Sequence, residues 1–309
     1  MRWKHGNRLK LVCDSEAPPR TRQIFEELCC LLGLPAVPSL YRAYAAFPLF
    51  LEVHWRAFRP ALESRQFFQL GARLAAESYT RAHNYFGISA LASNPARQAT
   101  SSVSFLQVLD FYQYLDPLLL LISAAQMQAF EGQVGQLLGR PEPASHPTFP
   151  AAPWLSGSPQ ATPAVQRIWE ERRRILELAF ISDEHRALAC WPDFYQEYWS
   201  ALKDLLHSPV YKDCQYRIAE SAWTLVAELP VPLETGISQL LEAGLDNEQV
   251  CAIVRINQGF LDALTGLVMD IIFARIGCEG GTRGTPLAQQ KGPASESSPQ
   301  ESGSPTQAA

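Results

Sequence analysis

Two acidic side chains stand out as groups that could do chemistry. Asp183 lies in Ile181-Ser182-Asp183-Glu184-His185, and Asp116 in Tyr112-Gln113-Tyr114-Leu115-Asp116-Pro117. A carboxylate that is partly desolvated and aimed at a water molecule can act as a general base. Each position also has a plain structural role. Ser182 or Asp183 would cap a helix beginning near Glu184, and Asp116 would cap one whose first residue is Pro117. Tyr112 could line a pocket beside Asp116, although aromatic residues at helical spacing also build cores.

Other chemistries find little support in the residues. The histidines at 5, 54, 83, 146, 185 and 207 form no HExxH or HxxxH arrangement, and the seven cysteines contain no CxxC pair. No metal site is therefore expected. GxSxG, GxGxxG and P-loop patterns are missing from the sequence. His54 reads as a satisfied core histidine, and Arg172-Arg173-Arg174 as a solvated helix face. With 26 basic and 31 acidic residues the net charge is −5, which offers no field for a nucleic-acid backbone. No secretory signal is expected at the N-terminus, and the greasiest stretch, Leu118–Ile122, is too short to cross a bilayer. Reduced, mostly buried thiols in a soluble cytoplasmic protein are the expectation.

The elements that must position the two acids are written twice. Ile24–Tyr79 aligns with Ile168–Trp223 without a gap at a constant offset of 144. Ile24-Phe-Glu-Glu27 matches Ile168-Trp-Glu-Glu171, Arg42-Ala-Tyr-Ala-Ala-Phe-Pro48 matches Arg186-Ala-Leu-Ala-Cys-Trp-Pro192, and Trp55 matches Trp199. Further on, Tyr112–Asp116 and Asn257–Asp262 correspond if one residue is inserted. Apolar residues recur at three and four, as in Phe194, Tyr198, Ala201, Leu202 and Leu205, so the period is helical. Ser208-Pro209 supplies a helix start. The segment from Phe260 to Ile276, with Asp262, Asp270 and Arg275, reads as an amphipathic helix.

The predicted fold is all-α, two pseudo-symmetric helical repeats joined by a proline-rich linker. The divisions are an extension at 1–21, repeat 1 at 22–139, the linker at 140–165, repeat 2 at 166–277 and a disordered tail at 278–309. Prolines at 141, 143, 147, 150, 153, 159 and 163 make the linker extended, and the tail is too polar to fold. A site is expected between the copies, where their divergence points to function. There Ser39 of the first copy is replaced by Asp183 in the second.

The run Ile181–Pro192, its weaker copy Ser39–Pro48 and the linker between them resemble the group I 2-haloacid dehalogenase family of the DehI type. The resemblance covers roughly residues 22 to 277. It implies an all-α fold with the active site between two repeats. It also implies hydrolysis of the carbon–halogen bond of short 2-haloalkanoic acids without metal or organic cofactor. The family's catalytic Asp falls on Asp183, next to Ser182. It would deprotonate a water that attacks C2 directly, with inversion and no ester intermediate. A water-holding Asn of the family falls on Asp116, where a carboxylate would repel an anionic substrate or share a proton with its neighbour. Pocket aromatics fall on Ala36 and Ser39, widening the cavity or making it more polar, and another falls on Asn257. Ile181 stands where enantiomer choice is set. The partner implied is a small carboxylic acid; neither nucleic acid nor membrane is expected, and a homodimer is compatible with the sequence. The competing function is a catalytically altered relative that binds a small ligand or is purely structural.

Overall fold

Proline opens five of the helices in this chain. At the first helical position it has no N–H to leave unpaired, and its φ is already helical. The computed structural model describes residues 9–85, 102–132, 142–144, 149, 161–176 and 178–279. The helices among them are α1 (Pro19–Leu32), α2 (Ser39–Tyr44), α3 (Pro48–Leu62), α4 (Arg65–Tyr85) and α5 (Val103–Phe130). They continue with α6 (Pro163–Ile175), α7 (Asp183–Leu188), α8 (Pro192–Leu205), α9 (Pro209–Val226), α10 (Ile237–Glu242) and α11 (Asn247–Glu279). No strand occurs among the described residues, only an isolated bridge between Ser64 and Pro143.

The starts of α1 to α5 and of α6, α7, α8, α9 and α11 differ by 144 in every case, matching the separation of Ser39 and Asp183. Local detail repeats as well. Trp55 Nε1 donates to Glu27 Oε2 at 2.9 Å, and Trp199 Nε1 donates to Glu171 Oε2 at 2.6 Å. Ser64 Oγ accepts from Phe67 N at 3.2 Å, and Ser208 Oγ from Tyr211 N at 3.1 Å, so both helix starts are capped alike. Because Val103 and Asn247 keep the same offset, the inserted residue expected before Asn257 is not needed. By that register Asn257 pairs with Gln113, and Phe260 with Asp116. Helices α1 and α6 both begin three residues before the unit boundaries drawn from sequence.

The long helices α5 and α11 pack on each other through the middle of the molecule, with α4 and α9 against them. Close approach is needed there: a Cβ on Gly71 of α4 would lie 2.2 Å from Leu118 Cδ2 of α5. An 18-residue stretch of α5 has a mean hydropathy of 1.3, far more extensive than Leu118–Ile122, but 78% of it is buried within the chain. It is a core helix. At its described points the connector lies along the first half. Ala144 N donates to Glu63 O, Arg65 N donates to Glu142 O, and Phe149 packs on Phe111 and Tyr114. Residues 1–8, most of the connector and the tail beyond 279 lie outside the described residues.

Several local expectations change. Asp116 does not cap a helix: α5 runs through Pro117, and both residues are buried. Surrounding packing outweighs the one backbone bond that proline forfeits. The thiols are not mostly buried, since Cys13, Cys30, Cys190 and Cys251 are exposed and only Cys214 is fully enclosed. Asp270 of α11 faces the interior, not the polar side of an amphipathic helix.

Candidate active site

Asp183 and Ser39, the pair singled out by internal comparison, touch each other. Asp183 is the first residue of α7, but neither it nor Ser182 makes a side-chain cap bond to its own helix. Instead Asp183 Oδ2 accepts the backbone N–H of Ser39, the first residue of α2, at 2.9 Å. The free amide at that helix start is satisfied by a carboxylate from the other half of the chain, where negative charge is favoured. The carboxylate is thereby held at the junction of the two halves.

A cleft with about 30 Å³ of free space opens beside it, room for about two water molecules. Its polar walls are Ser39, Tyr112, Asp116, Asp183 and Glu184, and its apolar walls include Phe180 and Phe260. Asp116 reaches it from the middle of α5 and is only 3% exposed. Its carboxyl group shares the cleft wall with that of Glu184, and each acts on the other, while Asp116 Oδ2 and Glu184 Oε1 are buried without a hydrogen-bond partner. Two buried carboxyl groups set side by side repel when both are ionised, and a proton held by one of them removes that repulsion and supplies a donor. Burial first, then the charges of Asp183 and Asp270, push the Asp116 carboxyl up to about 7, against the downward pull of Glu184. Burial and the neighbouring Asp116 raise Glu184 well above the carboxylate range. The pair therefore keeps a proton near neutrality. Tyr112 is also raised, by burial and then by Asp183, Asp116 and Glu184, so it stays a phenol.

Behind Glu184 lies a buried charge cluster. Glu184 Oε1 is 3.0 Å from His185 Nε2, which is 3.3 Å from Asp270 Oδ2. Arg172 Nη2 donates to the same Asp270 oxygen at 2.8 Å, Tyr211 OH to Oδ1 at 2.8 Å, and Tyr198 OH to the Asp270 carbonyl at 3.0 Å. Arg172 is 1% exposed, so it is not part of a solvated face. Its guanidinium also lies 5.0 Å from the centre of the Trp199 ring. Burial alone would raise Asp270, but Arg172 and His185 hold it below the ordinary range. Burial and Arg172 push His185 down to about 4, so the imidazole is neutral. Glu184, His185 and Asp270 offer donor atoms within 4.8 Å of one another, and Asp270 among them is paired with the guanidinium of Arg172.

Of the residues marked in the sequence, Asp183, Asp116, Ser39 and Tyr112 meet at the cleft. Ala36, Ile181, Ser182 and Asn257 do not line it. Asn257 is a core residue, bonded to the Tyr44 hydroxyl and donating to Ser123 O at 2.9 Å. The expected widening at Ala36 is countered by Phe180, its counterpart at the same offset, which does line the cleft. His54 is a satisfied core histidine, with Nδ1 2.7 Å from Gln126 Oε1 and Nε2 3.3 Å from the Tyr41 hydroxyl. Glu184, Phe180 and Phe260 were missed. The first two stand opposite Leu40 and Ala36 in the repeat, and that contrast was available to find them.

The family described as halocarboxylic acid dehydrogenase DehI matches residues 35–185. An (R)-2-haloacid dehalogenase of Pseudomonas putida is 23% identical over 274 residues, covering 85% of this chain and 90% of that protein. Another from Rhizobium sp. (strain NHG3) is 22% identical over 72% of this chain and 89% of its own length. A solved structure of a D-2-haloacid dehalogenase mutant superimposes with a TM-score of 0.81 at 22% identity, over 90% of this chain and 98% of that one. The complex of such an enzyme with L-LA gives 0.79, also at 22%. The chain is similar to 2-haloacid dehalogenases over most of its length and shares the all-α fold of the solved ones.

Proposed function

We propose that the chain is a hydrolytic 2-haloacid dehalogenase with Asp183 as its general base. This reading treats residues 22–139 and 166–277 as two copies of one unit whose junction supplies the site. Water held between Asp183 and Asp116 attacks C2 of a small 2-haloalkanoic acid. The carbon–halogen bond breaks with its electron pair leaving as halide, a new carbon–oxygen bond forms, and the water proton passes to Asp183. The products are a 2-hydroxy acid, halide and one proton. No covalent intermediate forms and no electron changes hands, so water and one placed carboxylate are chemically sufficient.

The observation that carries the reading is the Ser39 N–H to Asp183 bond. It fixes one carboxylate oxygen and leaves Oδ1 to take the proton from water. Ser39 and Tyr112 border the substrate, while Ile181, Ser182, Ala36 and Asn257 act from behind the wall. Phe180 and Phe260 shield the reacting carbon, which strengthens polar contacts inside. Halide release from 2-chloropropionate and 2-bromopropionate tests the proposal. Wild type should release halide, and Asp183→Ala should lose about 10²–10⁴-fold in kcat while retaining its fold. Halide release undiminished in Asp183→Ala, or none from pure folded wild type on any haloacid, sinks it.

A further inference from the structure

We infer that Asp116 and Glu184 form a proton-sharing pair that sets the charge the cleft will accept. With the proton in place the cleft admits a 2-haloalkanoate anion; without it, only an uncharged 2-halo compound such as the amide. The inference deepens the dehalogenase reading and rests on it for the identity of the ligand.

The lining carries the argument. Three carboxyl groups, from Asp116, Asp183 and Glu184, border about 30 Å³ of space, and no lysine, arginine or histidine is among the described residues that line it. Arg172, behind the wall, is paired with Asp270 through Nη2 while its Nη1 has no hydrogen-bond partner, and Arg186 acts on Tyr112; neither lines the cleft. An incoming carboxylate therefore meets like charge in a poorly screened site. Asp116 Oδ2 is buried without a partner at the cleft wall. If the shared proton rests on that oxygen, the group is an O–H donor, as an amide would be at the same place. If both groups ionise, every oxygen there is an acceptor and an anion finds none to bind it.

The charges facing the pair come from three helices. Asp183 and His185 belong to α7 and Asp270 to α11, with Arg172 of α6 behind them. Of these only Arg172 is cationic, and it draws Glu184 toward ionisation while Asp270 and Asp116 oppose it. The upward displacement of both members places the loss of the proton near and above neutrality.

Lactate and lactamide, which have the shape of the substrate without a leaving group, separate charge from size. Their dissociation constants should be measured by calorimetry from about pH 5.5 to 8.5, where lactate is ionised throughout. Lactate binding to wild type should weaken about tenfold or more across that range, equal to about 1.4 kcal/mol, while lactamide changes by less than about twofold. Asp116→Asn, which keeps size and supplies a permanent N–H donor, should make lactate binding flat, and Glu184→Gln should flatten it as well. Halide release from 2-chloropropionate should show the same trend in KM, with kcat changing less. Equal pH dependence for both ligands, a lactate response that survives in Asp116→Asn, or binding of neither ligand overturns the inference. If lactate and lactamide behave as expected but no haloacid yields halide, the reaction is wrong and the charge gate stands.

Discussion

The two halves of the chain hold the same scaffold around opposite kinds of core. In the first, Leu28, Leu40, Tyr41, Leu51, His54, Phe67 and Gln126 are enclosed, and the few polar atoms among them are neutral. At the same offset the second half has Arg172, Glu184, His185, Tyr195, Tyr198, Tyr211 and Asp270. Five apolar or neutral positions have become ionisable or hydroxylated, yet the Trp–Glu bonds and serine caps around them are unchanged. The difference teaches where charge can be introduced. It entered as a matched set, because one buried ion without its partners costs several kcal/mol. It entered on the side that touches the cleft through Glu184.

The sharpest way to break this contrast is to remove one member of the set. Arg172→Leu restores the residue of the first half and strands Asp270, so it should destabilise the protein by about 3–5 kcal/mol. Adding Asp270→Gln, again the first half's residue, should return most of that loss. Chemical denaturation measures both; a double variant no more stable than the single one would mean the set is not self-contained.

A smaller effect concerns pH. His54 and His185 are both buried and both pushed down to about 4 by burial, with Arg172 adding to the effect on His185. Each is neutral in the folded chain but titrates near 6.5 when unfolded. Their contribution is complete above about pH 6.5 and is lost as pH falls toward 4. Asp116 acts in the other direction. Raised to about 7, it stabilises the fold below the ordinary carboxylate value, and that benefit disappears as pH rises to 7. The wild-type stability curve should therefore be shallow between pH 4 and 7. Asp116→Asn should steepen it, with stability rising as pH rises; thermal melts across that range decide, and an unchanged slope counts against the assignment.

The smallest effect belongs where the halves agree. Ser64→Ala and Ser208→Ala should each cost about 1 kcal/mol, and nearly the same amount, since each removes one matching cap bond. Unequal losses would show that the caps sit in different local balances despite their geometry.

The fold was legible because helical period, proline starts and the repeat all point the same way. Asp183 was legible as a difference between two copies of one segment. Asp116 was marked, but its place was not: an Asp-Pro pair has the local signature of a helix start, and only the packing around α5 carries the helix through it. Arg172 failed for a related reason. Three adjacent arginines look solvated, and nothing local reveals that one turns inward to a partner 98 residues away. Glu184 hid behind Asp183 in the same way, although its counterpart Leu40 betrays it. Sequence offers charge and spacing, whereas a proton shared between two side chains depends on burial that neither segment encodes alone.

The bond from Ser39 to Asp183 has one more consequence. It joins the first residues of two helices whose starts are 144 residues apart, positions that are each other's counterpart in the sequence. Two identical chains meeting there would bring two serines, with no carboxylate, or two aspartates, whose carboxylates would repel within hydrogen-bonding distance. A donor on one side and an acceptor on the other requires the sides to differ. By carrying both stretches in one polypeptide, the protein can set a single carboxylate against a single amide at matching positions, an arrangement closed to two identical chains.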